Sequence, residues 1–294
     1  MFPLRIGYFI SGFITGLILL LHFLVSLPDG KLHIVACDVG QGDATYIRFA
    51  DGSDMLVDGG SNDKVLRCLG KHMPFWDRTI DMLVLTHPED DHLRGLLSVM
   101  ERYNVGYFVH SDIRRDTEQY RTLLSRVRER HAQEKVVTSG EYIRVGGAFI
   151  RIVWPSVDRV AAVNGIPAQV LGKSTVSVNE ESVVFWLRYG SFDALFPGDF
   201  SLSQYHIPVI EGLADEHVEL LKVPHHGSKF AMDRAFVTWL KPHVAIVSVG
   251  SNNTYGHPSE EVQTMLADEQ VQLLRTDQAG DIEVVSDGTG WQVL

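Results

Sequence analysis

Hydrophobic and polar positions divide the chain into an apolar leader and a long alternating body. From Ile6 to Leu27 no side chain carries a formal charge, the titratable His22 aside, and these 22 residues span roughly 33 Å as a helix. That length predicts one membrane-crossing helix. A cleaved secretory leader is the competing reading, but its apolar core is usually shorter and ends in a small-x-small site. Here the run leaves through Val25-Ser-Leu-Pro-Asp-Gly30. We therefore expect an uncleaved anchor and linker over residues 1–31 and one domain over 32–294. Arg5 precedes the span, and Asp29 and Lys31 follow it. The positive-inside rule then puts the amino terminus in the cytoplasm and the domain on the outer face of a cell membrane.

Beyond residue 31 the pattern switches to short apolar runs separated by polar turns and helical periods. Leu32 to Val39 and Ala44 to Phe49 predict a hairpin through Gly40-Gln-Gly42, and Met55 to Val57 a third strand. A helix begins near Asp63, and Ile80 to Leu85 is a buried strand followed by a helix from His92 to Glu101. Val105 to Val109 and Phe149 to Val153 predict further strands. Val183 to Leu187, Ala194 to Phe196, Val218 to Leu221 and Val244 to Val249 predict a second sheet. Ser156 to Ser177, rich in Ala, Gly and Val with little period, reads as a loop. Strands and helices alternate without repeats or low-complexity linkers, so a single α/β domain is preferred.

Candidate chemistry sits where these strands stop. The strand ending at Leu85 runs into His87-Pro-Glu89-Asp90-Asp91-His92, two imidazoles and three carboxylates in six residues. Nitrogen and oxygen donors without a thiol suit zinc, manganese or iron. A charged loop at a helix start is the plain alternative for this run alone. Three more strands end the same way, in Asp58-Gly-Gly60, in Gly198-Asp199 and in Pro224-His225-His226-Gly-Ser228. Taken singly, Asp58 reads as a turn residue, Asp199 as an N-cap and the histidine pair as a surface loop. Four coincidences together predict a metal-dependent hydrolase. The metal lowers the pKa of bound water and polarises the bond under attack.

Composition narrows the partners. A net charge of −11 argues against a broad basic surface for nucleic acid. The local exception is Arg114, Arg115, Arg121, Arg126, Arg128 and Arg130, around a helix expected over residues 117–130. Glu118 and Glu129 interrupt it, so a solvated helix face is favoured over a strip that tracks phosphates. Two cysteines, Cys37 and Cys68, make no disulfide framework, and the sequence leaves their pairing open.

The constellation resembles the metallo-β-lactamase superfamily, whose signature is a strand ending in His-x-His-x-Asp-His. Its flanks sharpen the likeness. Cys37-Asp-Val-Gly-Gln-Gly-Asp-Ala44, Phe196-Pro-Gly-Asp199, Val223-Pro-His-His-Gly-Ser228 and Asn253-Thr-Tyr-Gly-His-Pro258 are similar to the hydrolase domain of ComEC-like DNA-uptake channel proteins. That branch is also similar to the superfamily's phosphorylcholine esterases. The resemblance covers about residues 32–290 and implies an αββα sandwich with ligands along one edge.

By the same pattern Asp91, His92, Asp199 and His225 form one metal site. His87, Glu89 and a bridging Asp199 contribute to a second. Glu89 stands where the common motif has histidine, and Asn179-Glu-Glu-Ser182 replaces a further separate histidine. A carboxylate-rich second site leans toward manganese or magnesium over zinc. One or two divalent ions, zinc or manganese, are thus expected. Asp58 orients a histidine ligand. Asn179 and Ser182 supply amide and hydroxyl groups, while His226 and Ser228 hold substrate oxygens. Asp91 is the residue on which activity most depends, and His257 protonates the leaving group or binds phosphate. The expected reaction is hydrolysis of a phosphodiester, single-stranded DNA first among substrates. The alternatives are a small or lipid-derived head-group ester and a non-catalytic metal-binding partner of a membrane transport or DNA-uptake complex.

Overall fold

The computed structural model describes residues 3–25, 27–112, 115–164, 178–202 and 217–294. The first sheet contains β1 (Leu32–Ala36), β2 (Thr45–Arg48), β3 (Asp54–Val57), β4 (Thr79–Leu85), β5 (Asn104–His110) and β6 (Gln133–Val136). The C-terminal β14 (Ile282–Ser286) and β15 (Trp291–Val293) extend it beyond β1, in the order β15-β14-β1-β2-β3-β4-β5-β6. The second sheet contains β7 (Tyr142–Val145), β8 (Ala148–Trp154), β9 (Val184–Tyr189), β10 (Phe192–Phe196), β11 (Leu220–Lys222), β12 (Val244–Val247) and β13 (Gln272–Arg275). Its order is β13-β12-β11-β10-β9-β8-β7.

Three apolar layers hold these sheets. Ile34, Ile47, Met55 and Val84 of the first sheet meet Ile150, Phe185, Ala194, Leu220 and Val244 of the second. On the outer face of the first sheet lie α2 (Val65–His72), α3 (Asp90–Arg102) and α4 (Glu118–Glu129). They present Val65, Cys68 and Leu69, then Leu93, Leu96 and Val99, then Tyr120, Leu123 and Val127, the spacing of one helical face. The second sheet is covered likewise by α6 (Arg234–Leu240) and α7 (Glu260–Asp268), through Phe236, Val237, Leu240, Val262 and Leu266. β3, β10 and β12 are buried at every position because both their faces are covered. The expected αββα arrangement of two sheets between helical layers is what forms.

Several details differ from expectation. Residues 157–164, expected within a loop, form a helix, α5 (Val157–Asn164); the rest of that stretch, 165–177, lies outside the described residues. Five strands, β6, β7, β13, β14 and β15, lack a readable signal of their own. β6 is Gln-Glu-Lys-Val and exposed throughout, an edge strand whose charges discourage further pairing. β14 exists because β1 offers it an antiparallel edge, with Ile34 opposite Val284 across the whole domain.

The amino-terminal run forms α1 (Pro3–Val25), with Phe9, Phe13, Ile18 and Leu21 exposed. Its side chains are described only at residues 7–21 and 23. Within the residues so described, no helix is long and apolar enough to cross a membrane. The cysteines left open by sequence are joined as Cys37–Cys68, linking the end of β1 to α2.

Candidate metal centre

The carboxyl ends of β3, β4, β10, β11 and β12 meet at one edge of the sandwich. Three of the residues there sit in the left-handed region that side chains other than glycine rarely adopt. Asp58 has φ +57°, and the adjacent His225 and His226 have φ +47° and +52°. Such strain persists only where surrounding contacts over-determine it, and it collects at functional sites. Glycines permit the close approach. A Cβ at Gly42 would stand 2.2 Å from the Asp91 carbonyl oxygen, and one at Gly227 would stand 2.7 Å from Pro258 Cβ.

Hydrogen bonds on the outer side of each imidazole aim its other nitrogen inward. Asp58 is buried and accepts from the Thr86 N–H at 2.8 Å and the Thr86 hydroxyl at 2.7 Å. The second of those oxygens also lies 2.7 Å from His92 Nδ1. Because the Thr86 hydroxyl donates to Asp58, its oxygen is left to accept from His87 Nδ1, 3.1 Å away. His226 Nδ1 donates to the Ser248 carbonyl at 3.0 Å. With the outer nitrogens carrying the protons, each Nε2 turns a lone pair toward the centre.

Those inward atoms converge. His87, His92 and Asp199 bring one donor each within 4.8 Å of one another, as do Asp91, His92 and His226. His92 Nε2 is 3.3 Å from Asp199 Oδ1, and His226 Nε2 is 3.3 Å from Asp91 Oδ2. His87 Nε2, His92 Nε2, His226 Nε2 and Asp199 Oδ1 are buried and make no hydrogen bond. Buried polar atoms left unpaired are costly, so four facing one point fit a cation held between them. Electrostatics agree. Burial disfavours a charged His92, yet Asp199 and Asp58 outweigh it and raise its pKa well above the ordinary value. Burial likewise opposes charge on Asp199, but His92 and His226 hold its carboxyl far below the usual range. His226 is pushed up to about 9, against burial, by Asp199 and Asp43. The carboxylates demand positive charge, and a divalent ion on neutral imidazoles supplies it better than protons do.

The grouping departs from the expected one in three places. His226, expected to hold substrate oxygens, lies inside the buried donor cluster. His225, expected as a ligand, stands at the rim, about a third exposed and 3.9 Å from Asp199 Oδ2. Glu89 also stands off: one of its oxygens is 3.9 Å from His87 Nε2 and the other pairs with Arg115 at 3.0 Å. Asn179 Nδ2 reaches His225 Nε2 at 3.5 Å. The Ser182 hydroxyl accepts from the Asp199 N–H at 3.2 Å, so Ser182 supports a donor. The Ser228 N–H bonds the His225 carbonyl at 2.9 Å.

His257 lines the same cavity, of about 380 Å3, with Glu89, Asp91, Asp199, His225 and Tyr255. Asn253 grips its backbone by accepting from the N–H at 3.0 Å and donating to the carbonyl at 2.9 Å. Burial, with His226 and His225 nearby, lowers its pKa and favours the neutral ring. The exposed Tyr255 ring stacks on it at 5.8 Å.

Asp43 and Lys222 stand outside the expected set of site residues. They form a buried pair, 2.6 Å apart, against the histidine cluster. The Asp43 N–H also bonds the Asp91 carbonyl at 3.1 Å, tying this loop to α3. The available signal was one lysine inside the apolar strand Leu220-Leu221-Lys222-Val223, which requires a buried partner. The arginine helix serves α3. Arg126 donates to the Leu97 carbonyl at 2.6 Å and pairs with Glu101, while Arg130 donates to the Glu101 carbonyl at 3.1 Å. Arg114 lies outside the described residues.

Comparison with known proteins bears on this edge. A family model described as the Metallo-beta-lactamase superfamily matches residues 37–251. The chain is 24% identical to ComE operon protein 3 of Bacillus subtilis, over 93% of this chain and 35% of that protein. It is 26% identical to Competence protein ComA of Neisseria gonorrhoeae, over 88% of this chain and 33% of that protein. It thus spans about a third of the length of these relatives. Among solved structures it is similar to the metallo-beta-lactamase fold protein YhfI of Bacillus subtilis, with TM-score 0.55, 14% identity, and coverage of 86% of this chain and 99% of that one. The diiron beta-hydroxylase CmlA of Streptomyces venezuelae is similar too, with TM-score 0.55, 16% identity, and coverage of 84% and 53%. At such identities the likeness concerns the fold, and a hydroxylase on the same frame shows that chemistry must be argued from the site.

Proposed function

Since the chain belongs to the Metallo-beta-lactamase superfamily, we propose that its buried donor cluster is the centre of a metal-dependent phosphodiesterase, with single-stranded DNA as substrate. The observation that carries this reading is the convergence of unpaired Nε2 atoms of His87, His92 and His226 on Asp199 and Asp91. Those five residues would hold one or two divalent ions, zinc or manganese, with His225 and Glu89 at the rim. Such an ion supplies Lewis acidity and neutralises charge developing on the attacked phosphorus group and its leaving oxygen. Asp58 fixes His92, and Thr86 relays the same carboxylate to His87. His257, a neutral ring facing the cavity, is placed to hydrogen-bond a phosphate oxygen. Lys222 offsets the charge of Asp43, so that the donors gather around the centre without an unpaired carboxylate behind it.

The competence relatives support the choice of DNA, and a centre able to neutralise a phosphate is compatible with a diester. We place helix α1 in a cell membrane with the hydrolase domain on its outer face, beside partners of a DNA-uptake apparatus. One observation favours a second reading. The cavity is small and lined by Glu89, Asp90 and Asp91, which suits a compact head-group ester such as phosphorylcholine better than a long polyanion.

The test is metal content of the purified full chain, then hydrolysis of bis-p-nitrophenyl phosphate and single-stranded DNA with added manganese or zinc. Cleavage of both that is lost on chelation and in His226→Ala supports the nuclease. Cleavage of the small diester alone moves the assignment to the head-group esterase. Bound metal without turnover on either rejects both in favour of a non-catalytic partner.

A further inference from the structure

A second group of potential ligands lies apart from the hydrolase centre, where α2 meets the loop before β14. Cys68 and His72 are one helical turn apart on α2 and point to the same side. Cys68, His72 and Asp281 bring one donor atom each within 4.8 Å of one another. His72 Nε2 is buried without a hydrogen bond and lies 3.4 Å from Asp281 Oδ2. On the other side of the ring, Nδ1 lies 3.6 Å from Glu283 Oε2. Glu283 is itself held by His33 Nδ1 at 2.8 Å. A carboxylate near the outer nitrogen and an inner nitrogen without a hydrogen bond approach the arrangement that prepares histidine to bind metal. Asp281 is set by the Asp38 N–H, which donates to its Oδ1 at 2.9 Å. Among the described residues the competing cation is Lys71, an exposed side chain 3.2 Å from Oδ2.

What blocks a metal is the bond from Cys68 to Cys37. A disulfide sulfur is a poor ligand, whereas a thiolate is a strong one. We propose that reduction of Cys37–Cys68 creates a second metal site, in which zinc is held by Cys37, Cys68, His72 and Asp281. The S–S bond breaks and two thiols form: a dithiol reductant gives two electrons and two protons and becomes a disulfide, whereas a phosphine gives two electrons and becomes its oxide, with water supplying the oxygen and the two protons. Metal binding then displaces both thiol protons to solvent. Two thiolates, one imidazole and one carboxylate form a four-donor set of the kind structural zinc takes. The site would report the redox state of its surroundings by taking up or releasing an ion. It makes no use of the hydrolase centre, whose ligands contain no sulfur.

Sulfur provides the readout. The full chain in detergent, reduced with a phosphine under anaerobic conditions, is titrated with cobalt(II) alone, following thiolate-to-cobalt charge-transfer absorption in the near ultraviolet. The band is expected to saturate at one cobalt per chain after reduction and to be missing from the oxidised chain. His72→Ala and Asp281→Asn are expected to lose or strongly shift it, and Glu283→Gln to weaken cobalt binding about tenfold or more. Asp199→Asn is expected to keep the band, which separates this site from the hydrolase centre. Circular dichroism reports folding in each case. A folded, reduced chain without the band overturns the proposal. So does a chain that unfolds on reduction, or a band unchanged in both His72→Ala and Asp281→Asn.

Discussion

The two ends of β3 carry buried aspartates in opposite settings. At its start, Asp54 faces another carboxylate: its N–H donates to Asp81 Oδ2 at 3.0 Å, and the Asp81 N–H returns a bond to Asp54 Oδ1 at 3.2 Å. The Tyr46 hydroxyl adds a bond at 3.3 Å. Burial, resisted by the Asp81 N–H and reinforced by the Asp81 charge, pushes the Asp54 carboxyl up to about 7. Just past the other end, Asp58 faces Thr86 and His92, and all three of its hydrogen bonds come from groups that lead into the metal centre. Burial is common to both. What differs is what the partner does with its far side: Asp81 leads nowhere, whereas His92 turns a lone pair onto Asp199. A buried carboxylate is thus a functional signal here only through the geometry of its neighbour.

The hardest blow to this contrast comes from the centre itself. Asp199→Asn, or Asp91→Ala, should lower metal-dependent hydrolysis more than about 1000-fold, beyond the roughly 10–100-fold that losing an outer partner costs. Steady-state rates on a chromogenic diester check this, with thermal melts to show the fold intact; an active Asp91→Ala enzyme would remove Asp91 from the centre. The two ends of β3 are separated next. Asp58→Asn should weaken metal binding about 10–100-fold by isothermal titration, because His92 loses its outer anchor. Asp54→Asn should leave that affinity unchanged, and comparable losses from both would erase the distinction.

Two smaller effects concern stability. Reducing Cys37–Cys68, which closes 31 residues of chain, should lower the free energy of unfolding by about 2–4 kcal/mol, read from urea midpoints. Asp54 should add a pH dependence. Its folded value lies above the ordinary 3.8, so the folded state favours the protonated form. The stabilisation this brings is full below pH 3.8 and lost as pH rises toward 7. Asp54→Asn should therefore gain on the native chain by on the order of 1–2 kcal/mol between about pH 5 and pH 7. Parallel stability curves for the two proteins would contradict the raised pKa.

Much of the centre is written locally. A strand with a period of two, or a continuous apolar run, that stops at Asp58, His87 or Asp199 announces where a polar side chain leaves the sheet, since strand ends and polar breaks are both local properties. The donor types of His87-x-Glu89-x-Asp91-His92 are equally local, as is the uncharged run that becomes α1. Which of two adjacent histidines enters the cluster is not. His225 and His226 both take left-handed backbone angles, with His226 turned inward and His225 left at the rim. Local pattern has no term for such angles outside glycine.

The donor chemistry, its order along the chain, and an α/β sandwich whose strands end in ligands are legible from the residues alone. Those follow from side-chain type and from periodicities a few residues long. Folding in three dimensions set the pairing of β1 with β14, the bond between Cys37 and Cys68, the burial of Lys222 against Asp43, and the outer anchors of His92 and His226. Each of these joins segments tens to hundreds of residues apart, and such contacts are set by packing over the whole domain, which no local window contains.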